Sequence, residues 1–359
     1  MRFVSCLLAA GLLAAISSAQ RADGVYADIK TNKGLIVARL EFELTPMTVA
    51  NFVGLAEGTI DNAAFDPGRP FFDGTAWHRV EPGHVIQTGI PQSDRARGPG
   101  YMFPNEIHAK LSHNHLGAIN MANGGPNTNA SQWCIMLGDR SYLDGDYTVF
   151  GDVVEGLDVV KSIVKGDAIE SVRIVRVGAR AQAFHPTTAS FQAMVKAAEE
   201  RVKDQSEKKR VAEREWVAKN YPKATGPEGG VLSETLASSA DGSTPGHLRY
   251  RGTEVRYVGD VIGRDGPPIQ PVVFASGESG APGYFDPPQV FAYEAGKTKV
   301  NAGFDQAVAT MHAGDRKVVI VPASMAYGKA GLYKPEVPGQ RRFVVSPYAL
   351  LVYEVEALK

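Results

Sequence analysis

Cysteine is almost absent from this chain, with only Cys6 and Cys134 in 359 residues. Cys6 lies in the N-terminal segment, whose removal would leave Cys134 alone and exclude both an internal disulfide and any CxxC metal site. An excess of charge of either sign is also absent. Lys and Arg total 38 against 39 for Asp and Glu, so no basic surplus exists to gather phosphates, and the composition argues against a nucleic-acid-binding function. Long apolar runs are missing too. LLAAGLLAAI, which follows Arg2 closely, is shorter than the roughly 20 residues a membrane-spanning helix needs. Flanked by Arg2 and by the small residues Ser17, Ser18 and Ala19, it reads as a signal peptide over residues 1–19, cut before Gln20. That reading predicts an extracytoplasmic protein, in a bacterial periplasm or secreted, with no membrane span after processing.

What is present is enough chain for two domains of roughly 100–200 residues each. VYADIKTNKGLIVARLEF alternates apolar and polar residues about Asn32-Lys33-Gly34, the pattern of a hairpin. Thr45 is placed to cap a helix with Pro46 in its first turn, Val49, Phe52, Val53 and Ala56 on one face, and Gly58 as its stop. From Phe71 to about Val177, short apolar runs are cut by Gly, Pro, Asn and Asp, as in a barrel or sandwich. Composition then changes at Thr188. Residues 188–222 are dense in both charges and free of Gly and Pro until Pro222, which predicts a helix of about 30 residues, roughly 45 Å long. Its heptad stripe (Val195, Val202, Lys209, Trp216 and Phe191, Ala198, Gln205, Ala212) is apolar only at the ends. A spacer packed at both ends fits this better than a helix pairing with a second copy, although a weak dimer through the linker remains the alternative. Beyond Gly229 the chain is again β-rich, with one short helical pattern at Asn301 to Gly314, so an α+β domain is expected there.

Three stretches carry chemistry. AWHRVEPGHVIQTG (76–89), NMANGGPNTNASQWCIML (120–137) and YLDGDYTVFGDVVEGLDVV (142–160) occur in that order. Together they resemble the cyclophilin family of peptidyl-prolyl isomerases over residues 25–178. The resemblance implies an eight-stranded antiparallel barrel with a proline groove on its outside. It implies Arg79 and Gln87 as catalytic residues, and His84, Val85, Ala122, Asn123, Gln132, Cys134, Tyr142, Leu143 and Tyr147 as substrate contacts. His84 and Cys134 stand where the family usually has phenylalanine, Tyr147 where it has histidine, and Tyr142 where some relatives have tryptophan. A wider, more polar pocket for the proline ring follows. Without the surrounding motif, Arg79 would read as a structural salt-bridge arginine. His113-Asn114-His115 lacks acidic or cysteine partners at ligand spacing and is read as a loop with one buried histidine, so no metal is expected.

GFDQAVATMHAGDRKVVIVPASMAYG (303–328) and LLVYEVEAL (350–358) resemble the FKBP family, a second class of prolyl isomerase, over residues 229–359. This implies a five-stranded antiparallel sheet around one helix. Tyr257, Phe291, Val300, Asn301, Phe304, Tyr327 and Tyr353 would line its pocket, and Val337 would close it. Either Phe274-Ala275 or Phe285-Asp286 would supply the family's phenylalanine after the first long strand, and these aromatic residues could equally form a plain core. The fold expected for the whole is mainly β: a cyclophilin-like barrel, a charged helix over 188–222, then an FKBP-like α+β domain. Isomerisation breaks no bond, so no cofactor is implied. The function expected is isomerisation of proline-containing polypeptide clients during folding outside the cytoplasm. A non-catalytic holdase or partner-binding module using the same grooves is the alternative.

Overall fold

A computed structural model describes residues 21–240, 242–259, 261–264, 266–275, 291–294, 296–297, 299–333 and 343–359. The expected signal peptide therefore lies outside the described residues, and no described helix is long and apolar enough to cross a membrane. The chain divides into two compact units, Met1–Val202 and Lys203–Lys359. The boundary falls inside the long charged helix rather than on either side of it.

The first unit is one eight-stranded antiparallel sheet. Its strands are β1 (Gly24–Thr31), β2 (Gly34–Leu40), β3 (Arg79–Glu81), β4 (Val85–Thr88), β5 (Ala118–Met121), β6 (Trp133–Met136), β7 (Val149–Glu155) and β8 (Ile169–Val177), in the order β3-β4-β6-β5-β7-β2-β1-β8. The hairpin forms as its alternation dictates, with Thr31 opposite Gly34 across a two-residue turn. Helix α1 (Pro46–Glu57) buries every residue from Met47 to Ala56, so it is a core helix and carries no solvent face. Phe52 lies 5.1 Å from Phe72, 5.5 Å from Trp133 and 5.5 Å from Phe150 between ring centroids.

The start of α1 differs from expectation. Thr45 occupies the cap position, but its hydroxyl donates back to the Glu41 carbonyl at 3.1 Å and caps nothing. The exposed helix donors are taken instead by a distant carboxylate. Glu106 accepts from the Met47 and Thr48 amides at 3.2 and 2.9 Å and from the Thr48 hydroxyl at 2.9 Å. A buried acceptor 58 residues away leaves no local signature, so the sequence points to the nearest hydroxyl instead. The far end stops as expected, with Gly58 left-handed at φ 72°. Two short helices, α2 (Leu157–Ser162) and α3 (Ala179–Gln182), precede α4 (Thr188–Asn220).

Phe191 and Ala198 of α4 are buried in the core of the first unit, where Phe191 packs on Tyr101 and Phe103. Val217, Ala212 and Trp216 belong to an apolar cluster of the second unit. The apolar ends of the stripe are thus packed within the chain. The second unit contains β9 (Leu232–Ala237), β10 (His247–Tyr257), β11 (Ile269–Ala275), β12 (Phe291–Ala292), helix α5 (Ala302–Val308), β13 (Arg316–Val321), β14 (Leu332–Tyr333), β15 (Phe343–Val345) and β16 (Leu350–Leu358). Its main sheet runs β11-β10-β16-β13-β9, with β12 also on β10. Phe304 and Val308 of α5 share an apolar cluster with Val319, Leu351 and Tyr353 of the sheet. Val318, Ile320 and Val352 cluster instead with Val217.

Candidate functional site

Strand register builds the first site. Arg79 stands opposite Gln87 on β3 and β4, and Gln87 stands opposite Cys134 on β6. Residues directly opposite share a face, as do residues two apart. Arg79, Glu81, Val85, Gln87, Cys134 and Met136 therefore share one side of the sheet, whereas Ile86 and Ile135 on the other side belong to the core.

On that outer face a chain of hydrogen bonds fixes the guanidinium. Arg79 Nη1 donates to Gln87 Oε1 at 3.1 Å, and Gln87 Nε2 donates to Gln132 Oε1 at 2.9 Å. Gln132 also ties down the next segment, its carbonyl accepting from the Ala122 amide at 3.0 Å. Arg79 Nε and Nη2 both reach Glu81 Oε1, at 2.9 and 2.8 Å. One carboxylate thus sits on one edge of the cation, which does not amount to enclosure: the Arg79 side chain keeps 31% of its exposure. Burial holds the imidazole of His78 below its ordinary value, and the Arg79 charge acts in the same direction. The neighbouring histidine is therefore neutral at pH 7 and adds no second charge.

Beside this chain lies an apolar cluster of Val85, Ala118, Cys134, Met136, Leu143 and Tyr147, with Ala122 and Tyr142 at its margin. Its rim is polar. His84 Nδ1 accepts from Arg140 Nε at 2.8 Å and lies 3.5 Å from the Tyr142 hydroxyl. Arg140 also donates to the Gly83 and Asp139 carbonyls, clasping the turn that carries His84. Tyr147 is backed by the buried ring of His113, 6.4 Å away edge-on. His113 in turn bonds Asp144 at 2.7 Å. Burial pushes the Asp144 carboxyl up, but hydrogen bonds from His113 and Ser112 outweigh it and leave the group below its ordinary value. Asn123 Nδ2 donates to the Asp146 carbonyl at 3.1 Å, while its Oδ1 accepts from the Gly125 amide at 3.2 Å. These two bonds fix the loop that follows Ala122.

The second site is a nest of rings. Phe304 lies 4.9 Å from Tyr353 and 5.2 Å from Tyr250, and Tyr250 lies 5.5 Å from Tyr353. Phe274 adds an edge contact to Tyr353 at 5.8 Å. Burial pushes the phenols of Tyr250 and Tyr353 up, so both stay neutral. Asn301 makes the polar tie: its Oδ1 accepts from the Phe304 amide at 3.0 Å, capping α5, and its Nδ2 donates to the Tyr353 hydroxyl at 2.7 Å.

Residues 26–179 match the family model described as cyclophilin type peptidyl-prolyl cis-trans isomerase. A peptidyl-prolyl cis-trans isomerase A of Mycobacterium tuberculosis (strain ATCC 25618 / H37Rv) is 43% identical over 145 residues, which cover 39% of this chain and 80% of that protein. The chain belongs to the cyclophilin-type peptidyl-prolyl cis-trans isomerase family. A peptidyl-prolyl cis-trans isomerase of Helicobacter pylori (strain ATCC 700392 / 26695) is 38% identical over 159 residues, 44% of this chain and 91% of that protein. A crystal structure of a Cryptosporidium parvum cyclophilin type peptidyl-prolyl cis-trans isomerase aligns with 25% identity and a TM-score of 0.37, covering 44% of this chain and 99% of that one. Residues 272–358 match the model of the FKBP-type peptidyl-prolyl cis-trans isomerase. The chain is accordingly an isomerase, mainly β, with a cyclophilin domain followed by a smaller FKBP domain.

Within the cyclophilin domain, the structure brings Arg79, Gln87 and Gln132 into one chain and gathers Val85, Cys134, Leu143, Tyr147, Ala122 and Tyr142 into one cluster, with His84 on its rim. Sequence reading passed over Glu81, Ala118 and Met136. Glu81 was within reach, being two residues from Arg79 on an alternating strand. Ala118 and Met136 depend on pairings between strands far apart in sequence.

Within the FKBP domain, Val300, Tyr327, Phe304 and Tyr353 share one cluster, and Asn301 joins it through its hydrogen bonds. Tyr257 does not belong there. It packs with Val255, Ile269 and Trp216 on the opposite face of the sheet, and Tyr250 of the same strand takes the place expected for it. Tyr250 and Tyr257 are an odd number of residues apart, so one straight strand cannot present both to the same side. Between the two phenylalanine candidates, Phe274 is buried in the nest and Phe285 lies outside the described residues. Val337 also lies outside them; Val345 of β15 and Tyr293 are buried members of the cluster that went unread. Phe291 pairs with Leu248 through its backbone, and its side chain lies outside what is described.

Proposed function

We propose that this chain is an exported isomerase that accelerates proline-limited folding of extracytoplasmic polypeptides, with Arg79 as the catalytic donor of the cyclophilin domain. The observation that carries the reading is the Arg79–Gln87–Gln132 chain standing beside an apolar cluster. Rotation about an X–Pro bond must break amide resonance, at a barrier of about 18–20 kcal/mol. At the twisted geometry the prolyl nitrogen regains its lone pair, and a fixed donor aimed there stabilises that state over either planar isomer. Arg79 supplies the donor, Gln87 and Gln132 hold it, and the cluster around Val85 and Leu143 takes the ring. An acceleration of 10⁴ needs about 5.5 kcal/mol, whereas one charge-assisted hydrogen bond supplies about 1.5–3 kcal/mol. Desolvation of the amide in the apolar cluster supplies the remainder.

Export rests on the apolar segment ahead of Ala19. A periplasmic or secreted site of action fits a substrate class whose uncatalysed isomerisation takes tens of seconds. The test is refolding of a proline-limited client with the full chain at substoichiometric amounts. Acceleration is expected, and Arg79→Ala is expected to lower kcat/KM of the cyclophilin domain by about 10- to 100-fold. Suppression of aggregation only near equimolar ratios, with no acceleration, would instead mark a holdase.

A further inference from the structure

The carboxylate on Arg79 is a feature of this chain that catalysis by Arg79 and Gln87 leaves unexplained. Glu81 follows Arg79 by two residues on a strand of only three, and β3 ends the sheet with β4 as its neighbour. No strand beyond β3 walls in the guanidinium among the described residues, so its aim comes from side chains. Gln87 takes Nη1, and a single oxygen of Glu81 takes both Nε and Nη2 at 2.9 and 2.8 Å. Anchors therefore lie on two different edges of the planar cation.

Stability is a poor reason for this pair. Arg79 and Glu81 keep 31% and 41% side-chain exposure, and exposed ion pairs contribute only about 0–1 kcal/mol. Fixing the arginine is a better one, because a free arginine side chain carries about 2 kcal/mol of rotamer entropy that the transition state would otherwise have to overcome. A carboxylate could act in the opposite sense by weakening the cation as a donor. That effect falls on the edge formed by Nε and Nη2, whereas Gln87 braces the planar fork at Nη1.

We propose that Glu81 is a positioning residue for the isomerisation, resting on the reading of Arg79 as the donor to the prolyl nitrogen: it sets the arginine's aim, and so governs turnover and not substrate affinity. The full chain is assayed with a proline peptide, and the Arg79→Ala full chain supplies the baseline that contains every contribution not due to Arg79. Above that baseline, Glu81→Ala is expected to lower kcat about tenfold, equivalent to about 1.4 kcal/mol, with KM within about twofold and an unchanged melting temperature. Glu81→Gln keeps an oxygen that accepts from the same N–H groups, and is expected to retain at least about half of the kcat. An unchanged or raised kcat for Glu81→Ala, or a Glu81→Gln variant as slow as Glu81→Ala, overturns the proposal. If Arg79→Ala itself turns over at the original rate, the fault lies with the reading of Arg79 and not with the part given to Glu81.

Discussion

The two isomerase domains organise their sites in opposite ways. In the cyclophilin domain the defining group is a partly exposed cation whose position comes from other polar side chains: Glu81, Gln87 and, through it, Gln132. In the FKBP domain the corresponding place is filled by rings that touch one another, with Phe304 1% exposed and Tyr353 fully buried. In the mechanism proposed above, the first arrangement would aim a charge at a nitrogen and needs register. The second is suited to withdrawing an amide from water and needs surface. A site of the first kind can lose its chemistry with little cost to the fold, whereas in the second the lining and the core are the same residues.

The largest expected effect follows from that identity. Phe304→Ala removes a ring in contact with both Tyr250 and Tyr353 and should cost the second unit about 3–5 kcal/mol. Hydrogen exchange of the β16 amides in the full chain measures this. A loss below about 1 kcal/mol would mean that Phe304 is a wall that can be spared, and the contrast between the two sites would fall. The rate of the cyclophilin domain measured above its Arg79→Ala baseline should stay within about twofold.

How much was legible in the sequence follows the same division. Arg79 and Gln87 could be read because they sit in a contiguous motif that resembles the cyclophilin family's, and the structure places them opposite each other across a tight turn. Met136 and Ala118 could not, because their place in the cluster depends on which distant strand pairs with which. Alternation also misled when its parity was ignored. Matching to the FKBP family points to Tyr257, but the ring beside Phe304 is that of Tyr250. Capping shows the limit most clearly: Thr45 has the right residue type at the right position, yet Glu106 reaches the same donors from across the core. Asn301, by contrast, caps its helix as a side chain of its type should.

A smaller effect separates the two domains by pH. Burial lifts the Glu213 carboxyl of α4 from 4.5 to about 7, against the opposing charge of Lys209 3.7 Å away. The folded state therefore binds a proton that the unfolded chain releases above about pH 4.5. The stabilisation is present in full below that pH, declines as pH rises, and is gone once pH has passed through about 7. Glu213→Gln should consequently stabilise the second unit by about 1–3 kcal/mol at pH 8 and have little effect at pH 4. Denaturant unfolding followed through Trp216, which clusters with Val217 on the same helix, reads this directly. Equal effects at the two pH values would mean that the carboxyl titrates alike in the folded and unfolded states.

The smallest effect asks whether the polar tie of the FKBP domain serves structure in the way that Gln87 is proposed to serve chemistry. The Asn301 side chain accepts from the Phe304 amide, donates to the Tyr353 hydroxyl and also bonds the Tyr327 phenol, and substitutions can separate the cap from the phenol contacts. Asn301→Ala removes all of them and should cost about 1 kcal/mol, the usual value of a lost helix cap. Asn301→Asp keeps the acceptor for the Phe304 amide and offers a carboxylate to the hydrogen-bonded phenols of Tyr353 and Tyr327, one of which can donate to it. Its stability should lie within about 0.5 kcal/mol of the original chain. If the aspartate is as damaging as alanine in thermal unfolding, the amide donor to Tyr353 is the contact that matters, and the ring nest depends on a directed hydrogen bond much as the arginine site does. If it is tolerated, the polar atoms of the second site hold a helix in place and leave recognition to the rings.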